Sequence, residues 1–203
     1  MKLFYALASP FARKTRIVAR QLEVIDGIEE IAALPYLDDP ALLAVSPTGL
    51  VPTMILDDGT TLIDSPLICQ YMDGLSKTSM LVAASDTDRM HVLQHEALAD
   101  AIMDFALSVV VEQRRTDGSP SAAFIERKLN KIVRAIAALP AAPTPDATAM
   151  TIGEIATACA LGYLDFRLAD MNWRASRPDL ATWYAIIETR RALVDTRPTD
   201  QPA

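Results

Sequence analysis

The sequence has little positive charge, and this shortage excludes several kinds of partner. Lys and Arg total 19 against 26 Asp and Glu, which gives a formal net charge of −7 at pH 7. Nucleic acids and anionic membrane surfaces both attract a basic face, so neither is an expected partner. Long apolar runs are missing too. The uncharged run 105–111 falls far short of the ~18 residues of a membrane span.

Cysteine is equally scarce. Cys69 and Cys159 lie in apolar stretches with helical spacing, and they suggest no disulfide framework. Neither has a basic neighbour in the sequence that would lower the pKa of its thiol. A reducing cytoplasm is therefore the expected compartment.

The N-terminal run 3–8 imitates an export signal, but its apolar part is shorter than the ~7–15 residues that such a signal needs.

Several familiar catalytic patterns are absent. The sequence has no glycine-rich phosphate loop and no serine-centred nucleophile elbow. His91 and His95 are four residues apart, but no third metal ligand accompanies them, and a solvated helix face is the expected role.

The first third contains alternating strand and helix patterns. Asp58-Gly59 separates two short apolar runs and is a strong hairpin signal, because Gly tolerates positive φ. The order of patterns is β, α, β, irregular or helical, β, β, α, which predicts a compact α/β domain. Residues 76–87 form a polar connection, and only helical patterns follow it. One of them begins with a capping box, Thr151 to Glu154.

Three features of the α/β part could form a binding site. The first is Ser9, at a predicted helix N-terminus with Pro10 at the first helical position. Free N–H groups and the helix dipole favour an anion there. A serine hydroxyl can also donate a hydrogen bond to a ligand thiolate and so lower the pKa of its thiol. Capping of the helix alone would equally explain this serine.

The second feature is Val51-Pro52, directly before a predicted strand. A cis bond there would let Val51 offer its N–H and C=O to an extended ligand, as in strand addition. An ordinary trans proline at a strand start is the alternative.

The third feature, Asp64-Ser65-Pro66, places a carboxylate and a hydroxyl at a second helix N-terminus. Asp64 could take an ammonium group, while Ser65 and the free N–H groups take a carboxylate. The same residues could serve only as a cap. Together the three features suggest half of a site for a small peptide-like ligand.

The chain resembles bacterial glutathione S-transferases over nearly its whole length. The resemblance rests on YALASPFARK, SPTGLVPTMILDDGTTLIDSPLICQYMD and TIGEIATACALGYLDFR. It looks particularly like a small subgroup with Ser-Pro-Phe-x-Arg-Lys at the first turn. The resemblance implies an α/β plus all-α fold: a thioredoxin-like, glutathione-binding N-terminal domain at 1–75 and a helical glutathione-transferase C-terminal domain at 86–203. It also implies a cis Val51-Pro52 bond and a homodimer.

The resemblance also assigns roles to residues. Ser9 would activate the sulfur of glutathione, and Val51 with Pro52 would pair with the cysteinyl part. Asp64 and Ser65 would hold the γ-glutamyl end, completed by an acidic residue such as Asp100 from the other subunit.

Two departures from the family matter. Leu50 stands where a basic residue often reaches the glycyl carboxylate, and one lost charged hydrogen bond costs about 1.5–3 kcal/mol, roughly ten- to a hundredfold in affinity. Ser9 stands where relatives with thiol–disulfide chemistry have Cys, and Ser cannot form a mixed disulfide.

The implied activity is a glutathione transferase acting on a small electrophile. The alternatives are a non-catalytic binding or regulatory protein, and a glutathione-dependent isomerase or dehalogenase. The electrophile pocket would lie between the domains, lined by apolar residues that could instead be core: Phe11, Ile102, Phe105 and Val109.

Overall fold

The computed structural model describes residues 1–76, 81–82, 85–143 and 149–200. The first part contains β1 (Lys2–Tyr5), α1 (Pro10–Gln21), β2 (Glu29–Ala32), α2 (Pro40–Leu43), β3 (Thr53–Ile55), β4 (Thr61–Leu62) and α3 (Ser65–Leu75). The second part contains α4 (Asp86–Gln113), α5 (Ala122–Ala138), α6 (Ile152–Arg167), α7 (Trp173–Ser176), α8 (Pro178–Ile187) and α9 (Arg191–Val194).

The four strands form one mixed sheet in the order β2-β1-β3-β4. β1 and β2 are parallel and are joined through α1, whereas β3 pairs antiparallel with both β1 and β4. Helices α1 and α3 pack against each other beside this sheet. This module is followed only by helices in the described residues, which confirms the predicted fold class: a thioredoxin-like domain followed by a helical domain.

The strands are shorter than the apolar runs that predicted them. β1 ends at Tyr5 because the chain then turns, with the N–H of Ser9 donating to the C=O of Ala6 at 3.0 Å. The apolar run 25–31 predicts the second strand, but it begins as a 3₁₀ turn, Ile25–Gly27, and pairing starts only at Glu29. Apolar content marked these strands correctly, but turn geometry set their ends.

α6 forms the centre of the helical part. It packs against α4 and also against α1 of the first part, so almost all of its side chains from Ile152 to Leu164 are buried. The predicted capping box is present: the N–H of Glu154 donates to Thr151 Oγ1, and the N–H of Thr151 donates to Glu154 Oε2. Among the described helices, none is both long and apolar enough to cross a membrane.

The close approach of α6 to α1 depends on Gly162. A Cβ at this position would lie 2.5 Å from Tyr184 Oη and closer still to Arg13 Nη1. Both groups belong to buried side chains and have little room to withdraw. A side chain at Gly162 would therefore push α1 and α6 apart.

We expect Gly162→Ala to lower the free energy of unfolding by about 1–3 kcal/mol, the usual cost of overpacking. Gly74→Ala is the matched control, since nothing lies near its added Cβ and it is also helical. That variant should gain up to about 1 kcal/mol from helix propensity. Urea denaturation measures both, and equal stability of the two variants would contradict the packing argument.

Candidate functional site

A cavity of about 540 Å³ lies between the sheet domain and α4. Its size is in the ~300–1,000 Å³ range of small-molecule sites. Its walls are formed by Phe11, Thr48, Leu50, Val51, Pro52, Ile63, Asp64, Ser65, Pro66, Asp100 and Asp104. Four of the five predicted site residues therefore meet in one cavity. Ser9 is not in the wall, although Phe11, two residues along the same turn, is.

Ser9 caps α1, as its alternative role predicted. Its Oγ accepts a hydrogen bond from the N–H of Ala12 at 3.2 Å. This bond uses an oxygen lone pair, and no described residue accepts the hydroxyl hydrogen. The hydroxyl can therefore cap the helix and donate to a ligand at the same time.

The Val51–Pro52 peptide bond is cis, as the resemblance implied. Among the described residues, neither the N–H nor the C=O of Val51 has a hydrogen-bond partner. The neighbouring C=O of Leu50, in contrast, accepts a 2.7 Å hydrogen bond from the hydroxyl of Thr53. Val51 thus presents a free donor and a free acceptor at the cavity wall, which suits an extended ligand.

Asp64 and Ser65 begin α3. The side chain of Asp64 makes no capping bond and is exposed. Ser65 is only 1% exposed, and its Oγ has no hydrogen-bond partner among the described residues. A buried hydroxyl without a partner costs about 1–3 kcal/mol, which a ligand with a suitable polar group would recover. The Ile63–Asp64 bond is also cis, a feature that nothing in the sequence indicated.

A buried charge cluster that the sequence did not reveal lies behind the cavity. Lys14 on α1 has a fully buried side chain, and its Nζ lies 3.0 Å from Glu96 Oε1 and 2.8 Å from Asp100 Oδ2. Burial alone would lower the pKa of Lys14, but Asp100 and Glu96 outweigh it and hold that pKa above its ordinary value. In the sequence, Lys14 lies between Phe11 and Ile17, apolar residues at helical spacing. This position was the one indication that Lys14 could be buried.

Asp100 lies on α4, and its contact with the site of the other subunit, which the resemblance implies, stays a prediction. It lines the cavity of its own chain, and both carboxylate oxygens accept from Lys14. Burial raises the pKa of Asp100 to about 6 although Lys14 opposes this shift. Two carboxylates share one ammonium group here, so the cluster with Glu96 keeps one negative charge when both are ionised.

Asp104 lies one helical turn further along α4 and also lines the cavity. Burial raises its pKa, and the nearby charge of Asp64 raises it further, against the opposing effect of Lys128. Among the described residues, the cavity wall therefore holds three carboxylates and no Lys or Arg. Leu50, as the sequence indicated, puts an apolar side chain where a basic residue was expected.

Most of the predicted electrophile pocket is core. Ile102 and Val109 are fully buried in the helical core, as the alternative interpretation held. Phe105 packs partly against that core, under the ammonium groups of Lys128 and Lys131. Only Phe11 of the four lines the cavity. Helical spacing marked these residues as apolar but could not show that α5 and α6 cover them.

The two histidines have different environments. His91 is exposed, as predicted, but His95 is partly buried, and its Nε2 lies 2.7 Å from Thr157 Oγ1. Burial lowers the pKa of His95 to about 4. Among the described residues, no group of three or more His, Cys, Asp or Glu could hold a metal ion. Cys69 and Cys159 are buried and unpaired, and burial raises the pKa of both thiols.

Comparison with known proteins assigns both parts of the chain to one family. The model of the glutathione S-transferase N-terminal domain matches residues 8–75, and that of the C-terminal domain matches residues 122–185. The Escherichia coli (strain K12) protein described as "Uncharacterized GST-like protein YibF" is 32% identical over 201 residues, 98% of each chain.

Two solved structures are similarly close. A glutathione transferase family member from Pseudomonas fluorescens Pf-5, with bound glutathione, is 34% identical, with 98% of both chains covered and a TM-score of 0.90. A glutathione S-transferase from Methylobacillus flagellatus KT with glutathione bound is 33% identical, covering 98% of this chain and 99% of that one, with a TM-score of 0.83.

We expect Lys14→Met to destabilise the protein by about 3 kcal/mol or more, because it leaves buried carboxylates without their cation. Lys2→Met is the control, since Lys2 forms only an exposed 3.8 Å pair with Glu29. Its effect should stay below about 1 kcal/mol. Urea denaturation at neutral pH compares the two, and a Lys14→Met protein as stable as Lys2→Met would refute a stabilising role for the cluster.

His95 should make stability depend on pH. Its pKa is about 4 in the folded protein and 6.5 ordinarily, so the unfolded chain binds a proton in this window that the folded protein does not. Stability therefore falls as pH falls through the window. Between about pH 7 and about pH 5, the wild type should lose about 2 kcal/mol more than His95→Gln.

The exposed His91 provides the control for this pH dependence. His91→Gln should follow the wild type at both pH values. If His95→Gln lost as much stability on acidification as the wild type, the histidine would not be the responsible group.

Proposed function

Because the chain belongs to the glutathione S-transferase family, we propose that it is a glutathione transferase that activates the thiol of glutathione for attack on a small electrophile. One observation carries this proposal: the buried hydroxyl of Ser65, without a partner among the described residues, in the wall of a cavity of suitable size. Two solved relatives above 30% identity hold glutathione.

The polar groups of the cavity match the parts of glutathione. The exposed carboxylate of Asp64 would bind the γ-glutamyl ammonium group, and the Ser65 hydroxyl and the N-terminus of α3 would bind the neighbouring carboxylate. The free N–H and C=O of Val51 would pair with the cysteinyl residue, with cis Pro52 fixing their direction.

Ser9 would act on the sulfur. Its hydroxyl hydrogen has no acceptor among the described residues, so it can donate to the thiolate and favour the charged form of the sulfur. The thiolate then attacks the electrophile, a sulfur–carbon bond forms, and the leaving group departs with its electron pair. Each pKa unit that the thiol loses corresponds to about 1.4 kcal/mol.

A non-catalytic binding protein is the second candidate, and Leu50 favours it. This side chain is 62% exposed and cannot pair with the glycyl carboxylate. The tripeptide would then be held at two of its three residues, with lower affinity. A glutathione-dependent isomerase or dehalogenase would use the same contacts with glutathione.

The wider assignments are also proposals. We place the domain boundaries at 1–75 and 86–203, since α3 ends at Leu75 and α4 begins at Asp86. Exposed apolar side chains on these two helices, among them Leu67 and Met90, support a homodimer. The buried Arg13 and Lys14 support the Ser-Pro-Phe-x-Arg-Lys subgroup, and unpaired cysteines suit the cytoplasm.

Calorimetric titration of glutathione tests the binding site. We expect saturable binding to the wild type, weakened at least about tenfold by Ser65→Ala and by Asp64→Ala, as for one lost charged hydrogen bond. Because Ser65 Oγ has no partner among the described residues, Ser65→Ala should not lower stability. Ser119→Ala, at an exposed loop position, should bind like the wild type.

The outcomes separate the candidates. No heat at millimolar glutathione would overturn the proposal. Ultraviolet absorbance measures how far the thiol of bound glutathione is ionised. If the wild type binds glutathione without turnover, and the bound thiol is no more ionised than in Ser9→Ala, the non-catalytic protein is favoured. A thiolate signal lost in Ser9→Ala, with binding retained, would support the transferase.

A further inference from the structure

Resting on the proposed function, we propose that the second substrate is an organic cation: an electrophile with an alkylammonium group, bound against Asp104 and the ring of Phe11. The cavity brings together an uncompensated carboxylate, an apolar wall and a site for the thiol. These three features define what kind of molecule fits beside glutathione.

The charges of the wall are not balanced within the protein. Asp64, Asp100 and Asp104 line the cavity, and none of the lysines and arginines that the structure describes does. Lys14 on α1 is already shared between Asp100 and Glu96. Lys128 on α5 influences Asp104, but no described Lys or Arg lies within the 4 Å of an ion pair with it. Asp104 is exposed, so its carboxylate is open to solvent and to a ligand that enters the cavity.

The wall belongs to a built binding site and is not merely an acidic cluster. Ser65 lies in the wall of the same cavity and is only 1% exposed, and its hydroxyl has no partner among the described residues. Glutathione, as proposed, would use this hydroxyl and neutralise Asp64 with its ammonium group. Asp104 would remain charged in the occupied site, because glutathione brings only one cation.

The charge that develops in the reaction is a second reason to expect a cationic substrate. Ionisation of the thiol adds a negative charge to a cavity that already holds carboxylates, and like charges oppose one another. A cation on the second substrate offsets this repulsion when the thiolate forms. The cation should therefore increase the rate as well as the affinity.

The rest of the wall favours an organic cation. Phe11, Leu50 and Ile63 are apolar, and an aromatic face attracts ammonium groups. The described part of the chain contains no His, Cys, Asp and Glu group suited to a metal ion. An alkylammonium group can contact the ring and the carboxylate together, whereas a hydrated metal ion would leave the apolar wall unused.

Three aryl chlorides test the proposal, and two of them are matched in shape and differ in charge. They are para-chloro-meta-nitrobenzoate, its neutral amide with 3,3-dimethylbutylamine, and its cationic amide with trimethylammonioethylamine, which has a trimethylammonio group in place of the tert-butyl group. In each, the thiolate displaces chloride: the sulfur–carbon bond forms, chloride leaves with the electron pair, and the thiol proton goes to solvent. The ammonium group takes no part in the bond changes.

We expect kcat/KM for the cationic amide to exceed that for the neutral amide by at least about tenfold, and that for the benzoate to be lowest. The uncatalysed rate with free glutathione is subtracted for each compound. Added salt should reduce the cationic preference, since it screens the carboxylate.

Asp104→Asn should abolish most of the preference between the cationic and neutral amides. The control is Asp86→Asn on the same helix, about 27 Å away at 1.5 Å per residue, which should keep the preference. Thermal unfolding of both variants shows whether each is folded. If Asp104→Asn does not fold, the salt dependence of the wild-type preference decides.

A second measurement does not need turnover. Calorimetry with the three chemically prepared S-aryl glutathione conjugates should give the tightest binding for the cationic conjugate. Equal affinities and equal rates, in a protein that binds glutathione, would overturn the cation proposal and leave the transferase in place. Absence of glutathione binding would overturn both.

Discussion

The pairing of one buried ammonium group with two carboxylates determines where the site can be. Lys14 has no contact with solvent, and a charge in that position is tolerated only with partners of opposite sign. Its partners, Glu96 and Asp100, both lie on α4 and belong to the helical domain. The pairing therefore fixes α1 against α4, and with it the distance between the two walls of the cavity.

The helix N-termini give this cavity its chemistry. Ser9 begins α1 and Ser65 begins α3, and the two helices pack against each other beside the sheet. Each serine has part of its hydrogen-bonding capacity unused among the described residues. Helix N-termini favour anions, so one can act on a thiolate and the other on a carboxylate. The fold thus supplies positive potential from backbone groups in a cavity whose described wall holds no basic side chain.

Local signals predicted the parts of the site that depend on neighbouring residues. The serine at the start of α1, the Asp64-Ser65-Pro66 sequence and the capping box of α6 could be located because each feature is complete within a few residues. The pairing of Lys14 joins positions 82 and 86 residues apart, and no local pattern encodes it. The burial of Ile102 in the helical core also could not be predicted, because the helical period of α4 marks an apolar residue but does not show which helix covers it.

In the proposed transferase, the cavity separates recognition of the tripeptide from choice of the second substrate. Val51 and the N-terminus of α3 would act through backbone groups and one hydroxyl, and these contacts do not depend on the net charge of the wall. The charge of the wall comes instead from α4, where Asp104 follows Asp100 by one turn. Substitutions on the exposed side of that turn can change the sign of the charge on the cavity wall, while Lys14 keeps α4 in place. In the proposed transferase, the electrophile could therefore be changed through α4 at low cost to the fold, while the contacts with the tripeptide stay the same.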